Sequence, residues 1–346
     1  MARVRLACIL GIPLCLAAAA SRPASASPQA AVRFISDEAD AVLAILRARA
    51  GGSTAGQDAW RQLFASEGYR ALARREAAMG RAFTDDEFRG FVISDTLAAR
   101  TSELERTLEA WKRLDVAAAA ARASAYLPPG TPQRARVFLE IKPRTNSFVF
   151  DLDGARAIFL YVDPAVSPAQ LDNTLAHELH HVGQAAACNQ PADTTRPASV
   201  RSATEWTTAF GEGLAMVAAA GGPDVHPHAA SAARDRARWD RDVSRFDDDL
   251  AALQRFFFDV LDARADRDSL QRAGMSFFGT QGPWYTVGWR MWATVERTFG
   301  RARLLAIVCD PARLLTTYNA AAAEWNRTHQ DQLALWSDSL LARVDP

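Results

Sequence analysis

Histidine is scarce in this chain, with six among 346 residues, and lysine is scarcer, with only Lys112 and Lys142. Arginine supplies nearly all the positive charge, and acids balance it to a formal net charge of zero. Without a basic surplus the chain is a poor candidate for nucleic acid binding, which needs a positive surface to meet phosphates. Nothing in the arginine spacing marks a basic stripe. Long hydrophobic runs are also missing after the first few turns, and a bilayer-crossing helix needs about 20 apolar residues. What is present is ordinary globular material. About half of the residues (49%) are apolar, and the length suits one large domain or two smaller ones.

The one long apolar run is at the start. Arg3 and Arg5 precede Leu6 to Ala20, and small residues ending in Ala24-Ser25-Ala26 follow. This is the pattern of a secretory signal peptide, cleaved after Ala26. The run is short for an anchor and Pro13 interrupts it. Leu14 is too bulky before Cys15 for a lipoprotein site. The protein is therefore expected to be exported, to a periplasmic or extracellular compartment. Cleavage leaves Cys188 and Cys309 of the four cysteines. An oxidising compartment permits a bridge between them, and two buried thiols is the other reading.

Residues 27–132 read as a helical region, rich in Ala, Leu, Arg and Glu with apolar residues three and four apart. Thr84 with Glu87 forms a capping-box pattern that opens a helix. Leu97 to Tyr126 runs without Gly or Pro, as one long helix or two, and "LPPGTP" stops it. The texture changes in residues 133–197. "VFLEIKP", "SFVFD" and "ARAIFLYVD" are rich in β-branched and aromatic residues, and Asp153-Gly154 marks a hairpin. A small antiparallel sheet is expected there, in a fold that is mainly α, hence α+β. Ser167 and Pro168 then cap and open another helix. Residues 198–346 are helical again, broken at "GGPDVHPH" and "FFGTQGPW". "RFDDDL" lacks the ligand spacing of a calcium loop and reads as a solvated helix start. "FFF" (256–258) and "VAAAAA" (116–121) read as packing.

Half of the histidines fall in "NTLAHELHHVGQ", residues 173–184. His177 and His181 are four apart, so they share a helical face and can both reach one zinc ion at about 2.0–2.1 Å. Glu178 sits beside them, placed to take a proton from an attacking water. Leu171, Leu175, Leu179, Val182 and Ala186 fill a different sector, so the helix can dock on a core while the imidazoles face a cleft. His180 falls outside the pair, as a surface or hydrogen-bonding residue. Catalytic zinc usually has three protein ligands, and the candidates for the third are Glu205, Glu212, His226 and His228. Glu212 lies in "FGEGLA", where flanking glycines let a second helix come close. Glu205 is two turns earlier, and the two histidines lie in a Pro/Gly loop.

The H-E-x-x-H helix followed by E-G-x-A resembles the gluzincin metallopeptidases. "FGEGLA" is similar to the "NEGFA" segment of the M-one aminopeptidases, in which the glutamate is the third zinc ligand. By that resemblance the metal ligands are His177, His181 and Glu212, the base is Glu178, and the cofactor is Zn2+. The strands before the motif are placed as in that clan, where an edge strand holds substrate. Residues 135 to 325 more closely resemble a bacterial family of zinc-dependent peptidases of undefined function, in the two motifs and in "YTVGW" and "TTYNAA". Thirty residues separate His181 from Glu212, longer than in the commonest gluzincins, which leaves room for a loop around Asn189 to Pro197. No "GAMEN"-type stretch precedes the helix, so exopeptidase activity is not carried over.

The chemistry also calls for a donor to the oxyanion. Tyr285 in "GPWYTVGW" is the first candidate, and the alternative for it is aromatic packing with Trp284 and Trp289. His226 and His228 come second, and Tyr318 reads as core. The function expected is an exported zinc-dependent peptidase acting on a peptide or protein substrate. The alternative is a non-catalytic helical envelope binding protein with a structural or vestigial zinc site.

Overall fold

The computed structural model describes residues 31–144, 147–152, 154–189 and 193–344. The expected leader, residues 1–26, lies outside them, as do Asp153 of the hairpin and part of the loop around Asn189 to Pro197. The described chain opens with strand β1 (Ala31–Ile35). Helices α1 (Asp37–Ala50), α2 (Gln57–Ala65), α3 (Glu67–Ala78), α4 (Asp85–Val92), α5 (Asp95–Ala98), α6 (Thr101–Trp111) and α7 (Val116–Ser124) follow. The capping box opens α4 as expected, with Thr84 and Glu87 each bonding the other's backbone N–H. The stretch from Leu97 to Tyr126 is broken more often than its pattern suggests. Asp115 causes the last break, because its carboxylate accepts the Ala118 N–H at 3.1 Å and starts α7.

Strands β2 (Arg134–Glu140), β3 (Phe148–Leu152) and β4 (Ala155–Tyr161) complete a four-stranded sheet in the order β1-β2-β4-β3. Only the β3–β4 hairpin is antiparallel, while β2 runs parallel to both β1 and β4. The sheet is therefore mixed rather than antiparallel, still within an α+β fold. Two things hid this. The neighbours β2 and β3 do not pair, because β3 folds outward and leaves β4 to return beside β2. And β1 is five residues long and isolated from the other strands in the chain. In retrospect the run from Val137 to Ile141 is a central strand's, apolar with little alternation, whereas half-exposed β3 is an edge.

Helix α8 (Pro168–Ala187) is capped by Ser167, whose Oγ accepts the Gln170 N–H at 3.2 Å, with Pro168 in its first turn. Beyond it come α9 (Ala198–Thr207), a 3-10 turn at Thr208–Phe210, α10 (Gly211–Ala220), α11 (Ala233–Val243) and α12 (Phe246–Leu261). The chain then forms α13 (Arg267–Ser276), α14 (Pro283–Phe299), α15 (Arg301–Leu305), α16 (Pro311–Thr328) and α17 (Asp338–Val344). Asp247 and Asp248 are exposed on the first turn of α12, while Asp249 is buried against Arg245 at 3.1 Å.

Two cores meet at α8. One joins the first helices to the sheet and takes in Leu171, Leu175, Leu179 and Val182. Each of those side chains contributes roughly 1.5–3 kcal/mol by leaving water. Ala186, grouped with them by the wheel, is exposed because the helix end runs past that core. The second core is aromatic, centred on Phe210, Phe257, Trp284, Trp292, Tyr318 and Trp336. Cys188 and Cys309 are bridged, with Cα atoms 4.9 Å apart, so the end of α8 is tied to the loop after α15. Among the described residues, no helix is long and apolar enough to cross a membrane.

Candidate metal centre

The apolar face of α8 decides where its histidines point. With Leu171, Leu175 and Leu179 docked, His177 and His181 face away from that core and toward α10. The first turn of α10 carries Glu212, flanked by glycines for a packing reason. Gly211 faces the Gln184 amide of α8, where an added methyl would sit 3.0 Å from Oε1. A methyl on Gly213 would collide with the backbone of Gly288 and Trp289 in α14. Small residues on both sides thus let α10 lie between α8 and α14. The Trp292 indole fixes the approach by donating to the Phe210 carbonyl at 3.0 Å.

The resulting geometry is tight. Glu212 Oε2 lies 3.3 Å from His177 Nε2 and 3.1 Å from His181 Nε2, and the two Nε2 atoms are 3.0 Å apart. Tetrahedral zinc with bonds of about 2.0–2.1 Å separates its ligand atoms by roughly 3.3 Å. Two imidazoles and a carboxylate at these spacings fit a zinc ion with the fourth position left for water or substrate. No other such trio of His, Cys, Asp or Glu occurs among the described residues.

Charge at the site is set by these contacts. Burial works to raise Glu212, but the His181 and His177 rings outweigh it and hold the carboxyl well below its usual range. Burial opposes protonation of His181, yet the Glu212 carboxylate carries that ring up to about 9. The pocket therefore favours positive charge between the rings and the acid, whether proton or metal. Glu178 is half-buried beside them, and its charge is felt at both His181 and Tyr285. It makes no hydrogen bond to another described residue, so its oxygens are open to a water.

The remaining candidates separate clearly. His180 is fully buried rather than on the surface, and its Nε2 donates to the Tyr126 carbonyl at 3.3 Å. Burial, then the neighbouring His181, push it down to about 3, so it stays neutral. Glu205 is exposed on α9 and is not part of the trio. His226 pairs with Asp240 at 3.0 Å, and His228 Nδ1 meets Ser231 Oγ at 3.0 Å, so neither joins the trio. Tyr318 is core, its hydroxyl donating to the Ala334 carbonyl at 2.7 Å. Tyr285 packs against the aromatic core that includes Trp284 and Trp289. Its ring stacks on His177, with centroids 6.2 Å apart. Burial, then the nearby Glu212 carboxylate, raise its hydroxyl far above the ordinary value, so the proton stays in place.

Two supporting residues carried no signal in the sequence. Arg122 of α7 pairs with Asp172 of α8 and donates to the Ala219 carbonyl of α10, tying three helices together. Asn173, one turn before His177, donates to the Pro227 carbonyl at 3.1 Å and holds the "GGPDVHPH" loop on α8. Each contact spans 50 or more positions, beyond the reach of any local pattern.

A family model described as "Putative zinc dependent peptidase (DUF5700)" matches residues 60–327. The chain belongs to that family. Membership gives zinc as the cofactor and peptidase as the broad class of activity. The family match begins within α2, so it takes in most of the first helices, which the motif resemblance over 135 to 325 left out. No curated protein and no solved structure matches the chain.

Proposed function

We infer that the protein is an exported zinc-dependent peptidase whose metal ligands are His177, His181 and Glu212. The observation that carries this reading is the convergence of those three donors at 3.0–3.3 Å beside Glu178, which bonds no other described residue. Zinc, when bound, supplies Lewis acidity that polarises a carbonyl and makes water a nucleophile near neutral pH. The chain's own groups do the rest. Glu178 takes the proton from the attacking water and passes it to the leaving amine. Tyr285, held protonated with its ring stacked on His177, donates to the carbonyl oxygen as negative charge builds on it. The free edge of β3 offers backbone groups to an extended substrate, which would lie between that strand and α8. The Cys188–Cys309 bridge supports an oxidising destination and agrees with the leader pattern.

The test is Glu178→Gln. The purified variant is expected to keep one zinc per chain and lose turnover on a generic peptide substrate, and a chelator should silence the wild type. Full turnover by the variant would remove Glu178 from the role of base. Zinc bound by a chain that cleaves no peptide would favour the non-catalytic alternative.

A further inference from the structure

A cleft of about 910 Å3 opens directly from the metal centre, with His181 and Glu212 in its wall. Its other walls come from α9, the end of α12, and α13, and they mix apolar side chains with polar ones such as Arg201, Ser202 and Gln271. Trp206, Val260, Leu270, Met275 and Phe278 line it, with Glu205 and Arg267 exposed among the lining residues. The volume is that of a site for a whole ligand rather than for one side chain.

Helix α13 is an unusual wall. Gly274 is its one buried residue. That glycine lies flat on the Trp206 indole, where any side chain would collide, and its carbonyl accepts the Trp284 Nε1–H at 2.8 Å. On either side of the helix a non-glycine residue adopts a left-handed backbone, Ala263 at φ +49° and Gln281 at φ +61°. L-residues rarely adopt that conformation without a structural reason. The two turns flank α13, which meets the body at Gly274. Met275 on that helix is 51% exposed, and it lines the cleft together with Leu270, Phe278 and Trp206.

We propose that this cleft seats an apolar stretch of polypeptide on one side of the scissile bond, with Trp206, Leu270, Met275 and Phe278 as the specificity-determining side chains. The proposal rests on the metal centre being where the peptide bond is placed. Continuity with His181 and Glu212 commits the cleft to substrate. A substrate held here is a chain of several residues, so cleavage falls within polypeptides rather than in free dipeptides.

Binding of peptidyl hydroxamates to the zinc-loaded protein tests this without turnover. A Leu-Phe probe and a Gly-Gly probe are each offered in both orientations about the hydroxamate. In one orientation the Leu-Phe probe is expected to bind about 30-fold tighter than the Gly-Gly probe, in line with selectivity from apolar pockets. Met275→Asp, at a solvent-exposed position that leaves the fold intact, should cut that preference about tenfold and leave Gly-Gly binding unchanged. Leu270→Asp should repeat the effect. Equal binding of the two probes, or a preference untouched by both substitutions, overturns the assignment. An octanoyl hydroxamate that matches the Leu-Phe probe would make this an acyl pocket and overturns it as well. Selective binding by a protein that cleaves no peptide would sink the hydrolase reading and leave the cleft standing. Cleavage without selective binding would do the reverse.

Discussion

Two groups of enclosed acid in the molecule are treated in opposite ways. Beside the sheet, Glu38 of α1 is fully buried and accepts the Ile141 N–H at 3.0 Å, and burial pushes its carboxyl up to about 8. Burial, then the Glu38 charge, drives Glu140 upward too, and both its oxygens lack a hydrogen-bond partner among the described residues. Lys142 alongside is pulled down by burial to about 8. Glu212 is half-buried, yet its carboxyl is held well below normal. The difference is aim. One Glu212 oxygen faces two imidazoles within 3.3 Å, whereas the sheet acids face backbone and each other. Burial alone makes an acid take up a proton; burial against well-placed bases makes a cation site.

Removing the charge at each place separates them. Glu212→Gln should cost the bound zinc and lower turnover by at least about ten-thousandfold, read by metal analysis and kinetics. Glu38→Gln should leave both intact, and a loss of zinc there would break the contrast. The metal side also depends on helices held from a distance. Replacing Cys188 and Cys309 together by Ala releases a crosslink across 121 positions, with an expected stability loss of up to about 5 kcal/mol in denaturant unfolding. Gly213→Ala forces α10 off the backbone of α14 and should cost about 2–3 kcal/mol, with weaker zinc binding because Glu212 moves with its helix.

The smallest effect is a pH dependence. Folded Glu38 keeps its proton to about 8, whereas unfolded it releases it near the ordinary glutamate value of 4.5. Between those values the folded state holds more protons, so stability falls as pH rises. Glu38→Gln should flatten that slope, adding on the order of 1–3 kcal/mol at pH 8 and nothing below pH 4.

How much of this was readable beforehand depends on distance along the chain. The H-E-x-x-H spacing, the Ser167-Pro168 start and the Thr84 capping box are local, and helix periodicity alone orients them. The mixed sheet was not legible, because β1 and β2 lie about a hundred residues apart and only tertiary folding pairs them. The burial of His180 likewise depends on Tyr126, which the sequence places far away. On the residues alone Glu212 was one of four candidates, and the resemblance to the gluzincins singled it out. The flanking glycines were a usable hint, since they mark where backbones come close. The cleft under α13 left no trace, because its walls come from three separated segments that are individually unremarkable.

The position of Glu212 has a consequence for how the protein matures. Its helix is wedged against α14, which is buried in the C-terminal aromatic core, and so the acid is not in place until that core has closed. A nascent chain that has only reached residue 197 would own both rings and no third donor. On the proposed ligand set, metal capture would follow the closing of that core.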